Sequence, residues 1–387
     1  MRIEDGVADA LTAGKPRGRG AGLNPANRFE PIRLEVLHEH MEAKAMELPG
    51  GVQLSTQVFE DDTRTIINKV DTPDIPFSWT LNPYRGCEHG CIYCYARPGH
   101  EYFGLSLGVD FETKIYAKKR ASELLRRELD HPRWRGEPLV MSGVTDPYQP
   151  VERELKITRA CLQVMADRRQ PVGIITKNAL VTRDLDLLRQ LNRHEAVSVA
   201  ISLTSLDNGL ASKMEPRASS PRDRLEAIRK LSESGIPVMV MTAPIIPGLN
   251  DHEIPALLEA ARKAGARHAS YVTLRLPYQI KALFVEWLGR HFPDRAAKVE
   301  GLVREIHGGE LYDATVGVRM RGQGAYAEQI ASTFALFAKM HGLDRKRRPL
   351  NSSAFIAGGT GGSLFGAVRE DEPRVQREEE GQGSLLE

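Results

Sequence analysis

Three cysteines fall within eight residues, Cys87-Glu88-His89-Gly90-Cys91-Ile92-Tyr93-Cys94, in C-x3-C-x2-C spacing with a tyrosine just before the third. Three thiolates can ligate three irons of a [4Fe-4S] cube and leave the fourth iron without a protein ligand. An open iron, like the open position of a catalytic zinc, is a place to bind and reduce a small molecule. Two other readings compete. A structural zinc site takes four protein ligands, and Cys161, His89 or His100 would have to supply the fourth. Zinc sites usually come as paired CxxC units or Cys/His pairs, whereas a single cluster occurs here. A disulfide framework is the third reading, but four cysteines in 387 residues, three of them crowded together, do not pair sensibly. The spacing therefore favours iron and sulfide.

A cluster needs a scaffold, and the composition allows one. Hydrophobic residues make up 41% of the chain, enough for a substantial core, and the net charge of +2 is too small to force a nucleic-acid partner. With no apolar run of about 18 residues, no membrane span is expected. The N-terminus has no apolar stretch of the secretory type, and reduced thiols suit the cytoplasm, which is the expected location. Charge is uneven. Lys15, Arg17, Arg19, Arg28 and Arg33 make the N-terminal segment basic, Arg345-Lys346-Arg347-Arg348 is a second basic run, and the tail from Arg369 to Glu387 is acidic. Solvated ends are the simple reading, with the basic segments as candidate phosphate contacts.

Between these ends, short apolar runs alternate with helical patterns. Ser78–Asn82, Leu139–Met141, Val172–Ile175, Val197–Ile201, Val238–Met241 and Tyr271–Leu274 read as buried strands. A helix is predicted from Pro221, with Ser220 as N-cap, a stripe of Leu225, Ile228 and Leu231, and Gly235 as stop. Ile254, Leu257, Leu258 and Ala261 mark another, and helices also fit Ala117–Leu129, Leu155–Met165 and Leu185–Leu191. Such alternation predicts an α/β fold with a parallel sheet wrapped by helices. The expected organisation is a flexible basic segment over 1–30, an extension packing on the barrel over 31–74, the barrel over 75–345 and a flexible tail over 346–387.

In parallel α/β folds, ligands sit beyond the C-terminal ends of the strands. The cysteine loop follows the first strand. Ser142-Gly143-Val144-Thr145-Asp146 follows the second, Thr176-Lys177-Asn178 the third, and Ser202 through Glu215-Pro216-Arg217 the fourth. Hydroxyls, a lysine, two carboxylates and an arginine thus converge on one mouth. Each has a plainer reading: Thr145 and Asp146 as a turn before Pro147, Lys177 as a solvated helix cover, Glu215 and Arg217 as a surface ion pair.

The cysteine loop resembles the signature of the radical S-adenosylmethionine (SAM) superfamily. Together with Asn82-Pro83-Tyr84-Arg85-Gly86, Ser142 through Glu152, Thr176-Lys177, Ser202-Leu203 and Glu215-Pro216-Arg217, it resembles the SplB-like branch. This bacterial group is related to spore photoproduct lyase and often labelled "DNA repair photolyase". The resemblance implies a partial (β/α)6 TIM-like barrel, with a [4Fe-4S] cluster on Cys87, Cys91 and Cys94 and SAM on the open iron. It implies reductive cleavage of SAM to a 5′-deoxyadenosyl radical, a flavodoxin- or ferredoxin-type reductant, and a substrate that is nucleic acid or a nucleotide. A peptide or small-molecule substrate, or a non-catalytic iron-sulfur or zinc binding protein, is the alternative. Within that frame, Thr145 and Asp146, with Ser142 beside them, fall to the methionyl end of SAM. Lys177 falls to its carboxylate or ribose, Ser202 and Glu215 to the ribose, Arg217 to the carboxylate and Tyr93 to the neighbourhood of the adenine. No residue is assigned to the chemistry on the substrate. The lyase carries a hydrogen-donating cysteine just past its second strand, and Met141-Ser142-Gly143-Val144-Thr145 has none. Cys161, on an apolar stripe with Ile157 and Val164, reads as core.

Overall fold

A computed structural model describes residues 18–29 and 54–358. Ten strands are present among them: β1 Gln57–Glu60, β2 Ile67–Lys69, β3 Trp79–Leu81, β4 Tyr84–Arg85, β5 Lys114–Ala117, β6 Leu139–Met141, β7 Val172–Thr176, β8 Val197–Ser202, β9 Val238–Ile245 and β10 His268–Thr273. Six of them, β3, β6, β7, β8, β9 and β10, lie side by side in chain order and pair in parallel. This is the parallel α/β sheet that the strand-helix alternation predicts, with the six strands of the partial barrel that the resemblance implies. The extension adds a seventh strand, β2, antiparallel to β3. The remaining three strands form a small sheet in the order β1-β5-β4.

Helices α1 Ala121–Leu129, α2 Ile157–Arg168, α3 Leu185–Asn192, α4 Pro221–Glu233, α5 Ile254–Lys263, α6 Ile280–His291, α7 Pro293–Glu305 and α8 Gly324–Met340 cover the sheet and its open edge. Their apolar stripes face the strands. Leu124 and Leu125, Leu162 and Met165, Leu188 and Leu191, Ile228 and Leu231, and Leu257 and Leu258 meet Val172, Ile174, Val199, Ile201 and Val240 in one core. Each such side chain contributes about 1.5–3 kcal/mol by leaving water. The Ser220 hydroxyl accepts from Asp223 N at 3.2 Å, as its N-cap position predicts.

Two helix boundaries differ from expectation. The helix predicted from Ala117 begins at Ala121, because Lys114–Ala117 is a strand between β1 and β4. The helix predicted from Leu155 is broken at Lys156 (φ +54°). The cause is Glu152, whose buried carboxylate accepts from Thr158 N at 3.0 Å and Arg159 N at 3.3 Å, anchoring the first turn of α2.

The ends also differ. In the segment expected to be flexible, residues 1–17 and 30 lie outside the described residues, but Arg19 and Ala21 are buried. At the other end, residues 350–358 cross the base of the barrel. Asn351 N donates to Glu195 O at 3.1 Å, Ile356 N to Arg168 O at 2.8 Å, and Phe355 packs against Gly136. Residues 31–53 and 359–387, including the acidic tail, lie outside the described residues. Among those described, no helix is long and apolar enough to cross a membrane.

Candidate cofactor site at the mouth of the barrel

The cysteine loop is an excursion between the antiparallel strands β4 and β5. It continues through a 3-10 turn, Arg97–Phe103, and a short helix, Val109–Thr113, before returning. Cys87 N donates to Phe111 O at 3.0 Å and Cys94 N to Cys91 O at 3.2 Å. Gly86 has φ +77°, and a Cβ there would lie 2.9 Å from the His100 ring, so only glycine fits. Arg97, wholly buried, donates through Nε and Nη2 to the Cys91 carbonyl at 3.0 and 2.8 Å.

All three thiols are free, Cys87 and Cys91 buried and Cys94 partly so. Burial, then the Asp146 carboxylate and the other two sulfurs, push the Cys87 thiol well up. Metal ligation is what stabilises such thiolates. Among the described residues no three His, Cys, Asp or Glu side chains converge as ligands of one ion. A cube asks for something else, one thiolate on each of three irons, and a set of three cysteines on one loop fits that demand.

The candidate fourth zinc ligands are committed elsewhere. His89 faces Asp146 Oδ2 through Nδ1 at 3.3 Å and Asn178 through Nε2 at 3.1 Å. His100 Nε2 bonds Lys114 O at 2.9 Å, and burial lowers its pKa to about 4. Cys161 is fully buried in the main core.

The expected SAM-contacting residues divide into three groups. Ser142, Thr145 and Asp146 shape the loop's surroundings. Ser142 takes φ +102°, a strained conformation for a residue with a side chain. Asn82 holds that turn by accepting from Gly143 N at 2.7 Å and Val144 N at 3.0 Å, and Ser142 Oγ donates to Thr145 O at 2.9 Å. The Thr145 hydroxyl donates to Gly86 O at 2.6 Å. Asp146 accepts from Tyr148 N, Thr176 Oγ1 and Lys177 N at 2.7–2.8 Å. Its oxygens therefore tie the end of β6 to the end of β7. Burial alone would raise its pKa, but His89 and these donors hold it below the usual carboxylate range.

Tyr93, Glu215 and Lys177 form the second group. Glu215 is buried and receives hydrogen bonds from Tyr93 OH, from Thr204 Oγ1 at 3.0 Å and from Arg224. Arg224, from α4, also donates to Ser202 O at 3.0 Å. Lys177 Nζ lies 5.8 Å from the centre of the Tyr93 ring. Burial opposes the charge on Lys177, yet Cys91 and Glu215 outweigh it and hold the pKa up. Burial likewise opposes ionisation of Glu215, and Arg224 and Lys177 prevail. A cation that is only half-buried thus stands beside the cysteine loop.

Arg217 and Ser202 complete the set. Instead of pairing with Glu215, Arg217 pairs with Glu88 of the cysteine loop at 3.1 Å. Ser202 is buried at the end of β8. Arg97, Glu112, Gln149 and Arg224 were not singled out by sequence. Gln149 Oε1 accepts from Glu88 N at 2.9 Å, beside Cys87.

A cleft of about 300 Å³ opens between the loops after β8 and β9, lined by Asp207, Leu210, Leu249, His252, Glu253, Phe292 and Arg295. It touches none of the residues above. Of the basic segments, Arg19 is buried and Arg28 is paired with Glu101 at 2.7 Å, while Lys15, Arg17 and Arg33 lie outside the described residues. Arg345–Arg348 are exposed, but the Arg345 carbonyl bonds His268 at the start of β10, the end of the barrel away from the cysteines.

Residues 81–261 match the family model of the radical SAM superfamily. An uncharacterized protein of Mycobacterium tuberculosis (strain H37Rv) is 35% identical over 244 residues, 62% of this chain and 72% of its own length. The chain belongs to the radical SAM superfamily. It is accordingly an enzyme, and the superfamily implies a [4Fe-4S] cluster and SAM. A radical SAM Nalpha-GlyT isomerase of Pseudomonas phage M6 is 24% identical over 260 residues, 65% of this chain and 52% of that one. Spore photoproduct lyase complexed with dinucleoside spore photoproduct has the same fold, with a TM-score of 0.51 at 14% identity over 73% of this chain and 78% of that one. The branch read from the sequence is consistent with these neighbours.

Proposed function

We propose that Cys87, Cys91 and Cys94 hold a [4Fe-4S] cluster, that SAM binds in the barrel mouth, and that the substrate is nucleic acid or a nucleotide. Three free thiols on one loop, at the C-terminal end of β3, support the first part. When bound, such a cluster supplies the single electron that cleaves SAM reductively. The protein's own groups do the rest. Lys177 offers a cation to the SAM carboxylate, and Ser202 a hydroxyl to the ribose. Glu215, fixed by Arg224 and Tyr93, keeps Lys177 charged and the Tyr93 ring in place. Asp146 and Thr145 act through the loop they brace, so their part is to orient the cysteines. An external one-electron reductant is required.

The nucleic-acid reading rests on the rim of the mouth rather than on the basic segments. Tyr278, just past β10, is 61% exposed with Arg28 3.8 Å from its ring centre. Tyr95, at the end of the cysteine loop, is 50% exposed with Arg275 at 5.2 Å. Tyr102 and Phe29, both exposed, stack with ring centres 5.1 Å apart. Exposed aromatics beside arginines are platforms on which bases stack. The lyase that shares this fold is known with a dinucleoside bound.

Anaerobic reconstitution with iron and sulfide, then dithionite and SAM, should yield 5′-deoxyadenosine. Cys91→Ala should abolish both the cluster's visible absorption and the product. An intact cluster in the native chain without product would remove the catalytic reading. Tyr278→Ala and Tyr95→Ala should each weaken single-stranded DNA binding by about 1–3 kcal/mol. Unchanged binding would count against a nucleic-acid substrate.

A further inference from the structure

The segment before the barrel is built into the cysteine loop. Glu112, fully buried, accepts from Gly20 N at 2.9 Å, Ala21 N at 2.8 Å and Arg97 Nη2 at 2.5 Å. Arg97 in turn holds the Cys91 carbonyl. One carboxylate thus joins residues 20–21 to the backbone of a cysteine. Arg19 anchors the same segment. Its guanidinium donates to Glu112 O at 2.6 Å, Leu54 O at 2.8 Å and Thr56 Oγ1 at 3.1 Å. Thr56 Oγ1 donates onward to Glu88 Oε1 at 2.6 Å, the residue after Cys87.

Contact is close as well as polar. A Cβ on Gly20 would stand 1.8 Å from the Gly90 carbonyl oxygen, and Ala21 is fully buried in the apolar cluster that contains Cys91, Ile92 and Tyr93. No water fits between these backbones. Groups that surround metal ligands fix their orientation and control solvent access.

We infer that Arg19, Gly20 and Ala21, through Glu112 and Arg97, are positioning residues that form the back wall of the cysteine loop and keep water from a cluster held there. The inference rests on the proposed cluster. It also changes the expected role of this segment, from a basic arm reaching for phosphate to a fixed part of the cofactor housing.

The test uses the full chain reconstituted anaerobically with iron and sulfide. Gly20→Ala and Arg19→Gln are compared with the native chain in iron per chain, in the rate of bleaching of visible absorption on exposure to air, and in the melting temperature of the metal-free protein. Both variants should bleach about tenfold faster. Because the new Cβ meets a backbone carbonyl and Arg19 loses buried hydrogen bonds, both should also lower the metal-free melting temperature. Each is therefore compared with Phe355→Ala at the base of the barrel, whose loss of stability should leave bleaching at the native rate. Arg19→Lys keeps the charge but not the three-way fork, and should bleach at an intermediate rate. Native bleaching rates in the Gly20 and Arg19 variants would overturn the inference. So would bleaching in Phe355→Ala that rises as much for the same fall in metal-free melting temperature, since that marks general support of the fold. A native chain that assembles no cluster would sink the cluster reading itself, and this inference with it.

Discussion

The two ends of the barrel differ in where buried charge sits. At the base, Ala196, Ile236, Ala266 and Leu343 are almost wholly buried, and the crossing segment lays Phe355 over Gly136. At the mouth, Glu88, His89, Arg97, Glu112, Asp146, Glu215 and Arg224 are equally buried and all polar. Apolar burial stabilises without regard to direction, so the base can be closed by any side chain of suitable size. Buried charges stabilise little and cost much when a partner is lost. A protein tolerates such an end when the geometry of what lies there matters more than the energy.

That contrast can be broken from either side. The largest effect is expected at the mouth. Arg224→Met leaves Glu215 with only Lys177 as a cationic neighbour and should cost about 3–5 kcal/mol in urea unfolding of the metal-free protein. A loss under about 1 kcal/mol would mean that Lys177 alone neutralises the carboxylate.

Next comes acid. Burial lowers the His100 pKa from 6.5 to about 4. Above 6.5 neither state holds the proton; between the two values only the unfolded chain takes it up; below about 4 both do. Stability should therefore fall as pH drops from about 6.5 toward 4, by on the order of 3 kcal/mol. His100→Gln should flatten that slope in the pH dependence of the urea midpoint. An unaltered slope would place the titrating group elsewhere.

The smallest effect belongs to the base. Phe355, half-buried, should cost about 2 kcal/mol when changed to alanine, less than a fully buried phenylalanine. Iron content after reconstitution should not move. Loss of iron in Phe355→Ala would show that the two ends are not independent.

Legibility in the sequence follows the same division. Buried parallel strands are apolar runs, so the six were found within a few residues, and Ser220-Pro221 announced its helix because caps are local chemistry. The cysteine loop was readable for the same reason. What escaped was partnership at a distance. Glu215 and Arg217 look like a surface pair two residues apart, yet Glu215 pairs with buried Arg224 and Arg217 with buried Glu88 of the cysteine loop. Arg224 sits in the first turn of a polar helix start, Pro221-Arg222-Asp223-Arg224, where nothing marks one arginine as buried. Glu112 and Gly20 are separated by 92 residues, beyond any local pattern. A Gly- and Pro-rich basic segment reads as loose chain, and its fixed path appears only once Glu112 and Gly90 are known to meet it.

The Arg19–Thr56–Glu88 chain has a consequence for cutting the protein into parts. Two of its three members precede residue 81, where the family match begins, and β10 lies beyond residue 261, where it ends. A fragment trimmed to the recognisable module would keep every cysteine and lose the hydrogen bonds behind them. The stretch that identifies the protein is smaller than the unit that must fold.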